Sequence, residues 1–366
     1  MKTGRTRVPA LDGLRGVAIL SVLLWHGVFG QYFRSPLLAK CALIGKLSWS
    51  GVDLFFVLSG FLIGGILLDA KASPRYYQTF YLRRAFRILP FYGALLAVYF
   101  ALRFTSVGPW FGFDRIDVPA WSLATFTQNV WMAIAGKFGA DGLSPTWSLA
   151  VEEQFYLTVP ILIRILRPKH LVAVLGAAIF IAPALRIFLS LHAWSTAAYV
   201  LMPCRADALC MGVLIAVFAR YPEVVVSRNW VRVSAIVLLL PLGWLSVKAY
   251  DPLSLTMSAI GYSLLGLFYS CCLILALTGE PGFLGNSQLK GLGKIAYATY
   301  LLHLPLLVFG RRLALLALGN SSIPHAGGLI MISGVVIGIG ASLVLASASW
   351  TLFENPLIKR GHAFTY

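Results

Sequence analysis

Apolar stretches long enough to cross a bilayer recur along the whole chain, separated by short polar segments bearing Pro, Gly and basic residues. They fall at about 12–31, 50–69, 88–105, 148–167, 170–190, 204–220, 230–248, 256–278, 293–315 and 327–352. A hydrocarbon core of about 30 Å takes roughly 20 residues of helix. Lipid offers backbone amides no partner, so each crossing segment must close its own hydrogen bonds. The pattern therefore predicts an all-α polytopic membrane bundle of about ten transmembrane helices, with residues 1–366 forming a single domain.

An eleventh apolar stretch, 118–136, contains Trp121, Gln128, Asn129 and Trp131. If it crossed, every later loop would change sides, and Arg164, Arg167, Lys169, Arg220, Arg228 and Arg232 would move outside. The inside preference of Lys and Arg argues against that. The segment is expected on the outer side, non-spanning or re-entrant, and both termini are expected in the cytoplasm.

Composition agrees with this reading: 59% of the 366 residues are hydrophobic and the mean hydropathy is +0.81. The net charge of +17 does not indicate nucleic acid, because Lys and Arg are scattered through short loops without a stripe of interleaved aromatics. They point instead to topology, anionic membrane lipids or a phosphorylated ligand. The basic start of the chain, with Lys2, Arg5 and Arg7, leads into an apolar stretch that is broken by Arg15 and lacks a small-residue cleavage site. It reads as an anchor and not as a removable signal peptide. The five cysteines have no metal spacing, and no metal is expected; a Cys41–Cys204 disulfide stays open, since both fall on one side.

Ionisable residues inside these spans are the candidate chemistry. Arg15 and His26 are eleven positions apart, which brings them back to nearly the same helical face about 16 Å apart along the axis. Glu152 and Glu153, in PTWSLAVEEQFYL, are expected near the depth of His26, where one carboxylate could orient the imidazole as a base. Arg83, Arg84 and Arg87 enter the third span from the inner side, with Arg84 and Arg87 on one face, and guanidinium forks bind phosphate bidentately. Asp53, Arg205, Asp207 and His303 are further intramembrane groups, with Arg205 and Asp207 expected to form an ion pair. Each has a plainer alternative, as a packed histidine, a snorkelling arginine or an interfacial carboxylate.

As a set, LDGLRGVAILSVLLWH, GVDLFFVLSGFLI, RRAFRILP, TWSLAVEEQFYL and YATYLLHLPLL resemble the acyltransferase-3 family from Leu11 to about Pro356. These are membrane O-acyltransferases that modify bacterial surface glycans and some small molecules. The resemblance implies a bacterial inner-membrane enzyme that moves an acyl group, by default acetyl, from cytoplasmic acyl-CoA to a hydroxyl of a carbohydrate or other acceptor. It places the family's R-x10-H pair on Arg15 and His26, its arginine pair on Arg84 and Arg87, and its glutamate on Glu152. On that basis CoA would dock on Arg15, Arg83, Arg84 and Arg87. His26 would act as general base or transient acyl carrier, with Glu152 orienting it and Asp53, Glu153, Arg205, Asp207 and His303 in support.

Some members carry a C-terminal soluble esterase-like domain, which is not expected here. A transporter or flippase for an anionic metabolite or lipid-linked sugar is the competing reading, weakened by the lack of an internal repeat.

Overall fold

The computed structural model describes residues 8–31, 40, 42–113, 118–221, 223–248, 250–319 and 326–366, and among these it is helical without strands. Ten long helices follow the ten apolar spans. They are α1 (Pro9–Phe29), α2 (Ser48–Asp69), α3 (Tyr76–Leu102), α4 (Thr146–Ile165), α5 (Pro168–Leu191), α6 (Ser195–Phe218), α7 (Arg228–Val247), α8 (Met257–Thr278), α9 (Ser287–Leu318) and α10 (Gly327–His362). Nine of these are long and apolar enough to cross a membrane; the tenth, α4, has 20 residues and carries Glu152, Glu153 and Arg164. Cys204 is a buried thiol, whereas Cys41, Lys2, Arg5 and Arg7 lie outside the described residues.

Two boundaries depart from the hydropathy pattern for local reasons. Helix α3 starts at Tyr76, ahead of the apolar run, because its polar first turns still bury Tyr76 and Phe80 against the core. Helix α10 does not stop near 352. A π turn, Trp350–Glu354, leads into Asn355–His362, where Pro356 occupies the first turn and its missing N–H interrupts nothing.

The segment 118–136 forms two short helices, Ala120–Ala124 and Gln128–Ala135, too short to span. It is fastened by buried polar groups. Gln128 donates to the Thr146 carbonyl at 2.9 Å, Asn129 and Gln154 exchange hydrogen bonds at 3.1 and 2.7 Å, and the Tyr92 hydroxyl donates to the Leu123 carbonyl.

Helices α3 and α4 run antiparallel, whereas α1 and α9, like α2 and α6, run parallel. The start of α3 meets the end of α4, where the Tyr76 hydroxyl donates to the Pro160 carbonyl and Lys71 to the Leu166 carbonyl. This is the basic end of the bundle; the end of α1, the start of α4 and the segment 118–136 form the opposite, aromatic end. Helices α2 and α6 cross at Gly60 and Gly212, each of which faces the other helix's backbone where a Cβ would collide, at the Leu209 and Val57 carbonyls respectively. Small residues permit such close crossings in lipid, where apolar surface alone does not drive association.

Candidate active site

Helix α1 changes winding where it reaches its histidine. After Leu24 the chain continues as a π turn, Trp25–Phe29, and the His26 carbonyl accepts from Gln31 Nε2 and from an Arg311 Nη2, both at 2.8 Å. Single π turns of this kind re-aim side chains inside otherwise regular helices. His26 Nδ1 lies 3.0 Å from the Val22 carbonyl, which can only accept, so Nδ1 carries the proton of the neutral ring. The lone pair is therefore on Nε2, which makes no hydrogen bond among the described residues.

Two cavities are arranged around this helix. The one toward the basic end of the bundle, the inner cavity, is lined by Arg15, Arg84, Arg87, Glu152, Tyr156 and Ser148 among others. The one toward the aromatic end, the outer cavity, is lined by His26, Trp25, Trp49, Trp147, Tyr199 and Asp251 among others. Val52 and Tyr300 line both. The Tyr300 hydroxyl lies 2.7 Å from Ser148 Oγ and donates to the Pro145 carbonyl at 3.2 Å, which pins the ring between the two spaces.

Glu152 is not placed as the sequence suggested. It lines the inner cavity with the arginines, and its Oε2 accepts from the Tyr156 hydroxyl at 2.9 Å. Tyr156 in turn meets Ser59 Oγ at 2.8 Å and lies beneath the Arg84 guanidinium. No hydrogen bond joins Glu152 to His26 among the described residues. Hydropathy gives depth only to within a turn or two, and it gives no rotation, so it could not separate the two cavities. The partner of His26 is His303, whose Nε2 lies 3.3 Å from His26 Nδ1.

The basic cluster divides. Arg84 and Arg87 line the inner cavity with Arg15, which is itself paired with Asp12 at 3.3 Å. Arg83 turns away, donating twice to the Phe364 carbonyl at 2.9 and 2.6 Å with its guanidinium over the Tyr366 ring. Glu153 lines neither cavity, and its Oε1 is buried without a hydrogen bond among the described residues.

Arg205 and Asp207 do not pair with each other. Two residues apart on a helix, they point in nearly opposite directions. Arg205 instead meets Asp53 at 2.5 Å, while Asp207 meets Arg186 at 2.9 Å. The Arg205 guanidinium lies within 4.0 Å of the Tyr262 ring centroid and also faces Trp147 and Tyr199, so the pair backs the aromatic wall of the outer cavity. Arg186 was missed in the sequence, although a lone arginine within the apolar span 170–190 was the available signal. Tyr300 and Ser148 were missed because nothing in their local pattern sets them apart from packed residues. Among the described residues, no group of three His, Cys, Asp or Glu side chains could hold a metal.

The family profile for the acyltransferase domain of acyltransferase-3 proteins matches residues 8–351. The chain belongs to the acyltransferase-3 family. Within it, the chain is 26% identical over 384 residues to the O-acetyltransferase OatA of Staphylococcus aureus, covering 97% of this chain and 58% of that protein. It is also 26% identical over 386 residues to the peptidoglycan O-acetyltransferase OatA of Listeria monocytogenes, covering 98% of this chain and 57% of that protein. This acyltransferase-3 chain thus spans a little over half the length of those relatives. No solved structure matches it.

Proposed function

We propose that this protein is a membrane O-acetyltransferase that moves an acetyl group from acetyl-CoA at the basic, cytoplasmic end of the bundle to a carbohydrate hydroxyl at the aromatic, outer end, with both termini in the cytoplasm. The observation that carries this reading is the meeting of two chemically opposite cavities at Tyr300 and Val52, with an arginine cluster on one side and a histidine among aromatic rings on the other.

The inner cavity suits the donor. Arg84 and Arg87 sit three residues apart with Arg15 opposite, and Glu152 is the one carboxylate among its lining residues. An anionic phosphate relieves the repulsion among the guanidinium groups and can be gripped bidentately. The acyl end of the thioester then reaches toward Tyr300. The outer cavity suits a sugar, because Trp25, Trp49, Trp147 and Tyr199 offer ring faces and Asp251 offers an acceptor for hydroxyls.

In the transfer, His26 Nε2 takes the proton of the acceptor hydroxyl as its oxygen attacks the thioester carbonyl. The C–O bond forms, the C–S bond breaks, and His26 returns the proton to the departing thiolate. If the acyl group instead rests transiently on the imidazole, the same Nε2 is the nucleophile. Rapid quenching with labelled acetyl-CoA separates the two routes, since only the second leaves label on His26.

Purified protein in liposomes tests the reading. Release of free CoA from acetyl-CoA that depends on an added glycan fragment, with acetyl recovered as an ester, supports it. Flux of a sugar phosphate or lipid-linked sugar across the vesicles without CoA turnover would replace it with a transporter.

A further inference from the structure

The histidine pair contains a second ring whose protonation is as well determined as the first. His303 lies on α9, fully buried, with its Nδ1 2.6 Å from the Tyr300 carbonyl. A carbonyl cannot donate, so Nδ1 of neutral His303 carries the proton and its Nε2 is an acceptor. That Nε2 faces His26 Nδ1 at 3.3 Å, with the ring centroids 4.9 Å apart and the planes inclined at 56°. The Nδ1–H of His26 is thus shared between the Val22 carbonyl and His303. The two backbone carbonyls order the chain of bonds in one direction, from His26 toward His303 and on to Tyr300.

We propose that His303 is the positioning residue for His26, supplying the lone pair that accepts the hydrogen bond from its Nδ1–H, holds its ring with Nε2 toward the outer cavity and keeps that bond when the ring becomes charged. This rests on the reading of His26 as the group that accepts the hydroxyl proton. When Nε2 takes that proton, the positive charge spreads over the imidazolium and its Nδ1–H bonds strengthen. His26 is half-buried beside the outer cavity, and on its buried side the neutral imidazole of His303 answers that charge without adding charge of its own. The proton balance is unchanged: one proton moves from the acceptor hydroxyl to Nε2 and then to the thiolate, while the Nδ1 proton stays on His26. Arg311, on the same helix, anchors the His26 carbonyl, so α9 holds both the backbone and the ring of the proposed base.

Two amide substitutions test this with two readouts, one of which does not rely on the reaction. His303→Asn keeps an amide near Nδ1 that can still donate to the Tyr300 carbonyl, but cannot reach His26. His303→Gln extends an amide oxygen toward the position of Nε2 and can accept from His26. Carbethoxylation of His26 by diethyl pyrocarbonate, followed by peptide mass spectrometry, reports the availability of its Nε2. Steady-state acetyl transfer gives kcat and KM in parallel.

H303N should slow His26 modification and lower kcat by about tenfold or more, with KM for the donor changed by less than about twofold, and H303Q should recover both to within about threefold. H303N behaving as the unmodified protein in both measurements, or H303Q proving as impaired as H303N, would overturn the assignment. The modification readout needs no substrate, so it succeeds or fails independently of whether acetyl-CoA is the donor. Should the modification pattern hold while H26A still transfers acetyl normally, the histidine pairing stands and the catalytic reading falls.

Discussion

His26 has its Nδ1 committed to Val22 and His303, so the whole of its acid–base capacity is presented by Nε2. Its replacement by Ala should lower acetyl transfer by about 10²- to 10⁴-fold, the usual contribution of a general base, while membrane insertion and thermal unfolding in detergent stay near those of the parent. Asp53 should behave in the opposite way. It meets Arg205 with both side chains about 1% exposed, so Asp53→Ala strands a buried guanidinium and should cost about 3–5 kcal/mol of stability, read as a lower melting temperature. The residues legible in the sequence at this scale were those whose charge is anomalous in an apolar run, namely Arg15, His26, Glu152 and Arg205. Their partners were not legible. Whether Glu152 meets an arginine or a histidine depends on helix rotation, and whether Arg205 meets Asp53 or Asp207 depends on which helix crosses it, and neither quantity leaves a trace in hydropathy.

Helices were the most readable layer, because a bilayer forces the backbone to satisfy itself and the required length is fixed. The exceptions came where polar turns extend a helix beyond the lipid-facing run, as at the start of α3, or where a π turn carries it past an apparent stop, as at Glu354. How helices pair was not readable. The crossing of α2 and α6 depends on the absence of side chains at Gly60 and Gly212, which face backbone carbonyls of the opposite helix. Gly212→Val should push these helices apart and destabilise the protein by about 1–3 kcal/mol or more, seen as a reduced melting temperature and increased aggregation in detergent. A loss of activity at the growth temperature would follow from that instability, and should be partly recovered on cooling.

For the molecule as a whole, four residues that the family motifs carry, Arg15, Arg84, Arg87 and Glu152, line the inner cavity together. Arg15 and His26, which share one face of the helix in the sequence, line two different spaces with a common wall. The two ends of the bundle also differ enough to be addressed separately. Single cysteines introduced at Arg75 and at Phe138 should be labelled from opposite sides of oriented vesicles by a membrane-impermeant maleimide, with Arg75 on the cytoplasmic side. Labelling of both from one side would contradict the arrangement on which the proposed transfer rests.

Tyr300 belongs to both walls and is pinned by Ser148 and Pro145. On the proposed reading, a thioester on the basic side would thereby be screened from water entering on the other, so that its energy is not dissipated before a hydroxyl arrives. Removing the ring in Tyr300→Ala should turn a coupled transferase into a leaky thioesterase, with CoA released at similar rates whether or not a glycan is present. The same tyrosine would then set the efficiency with which each cytoplasmic acetyl group ends as an ester outside, a quantity measured as the ratio of ester formed to CoA released.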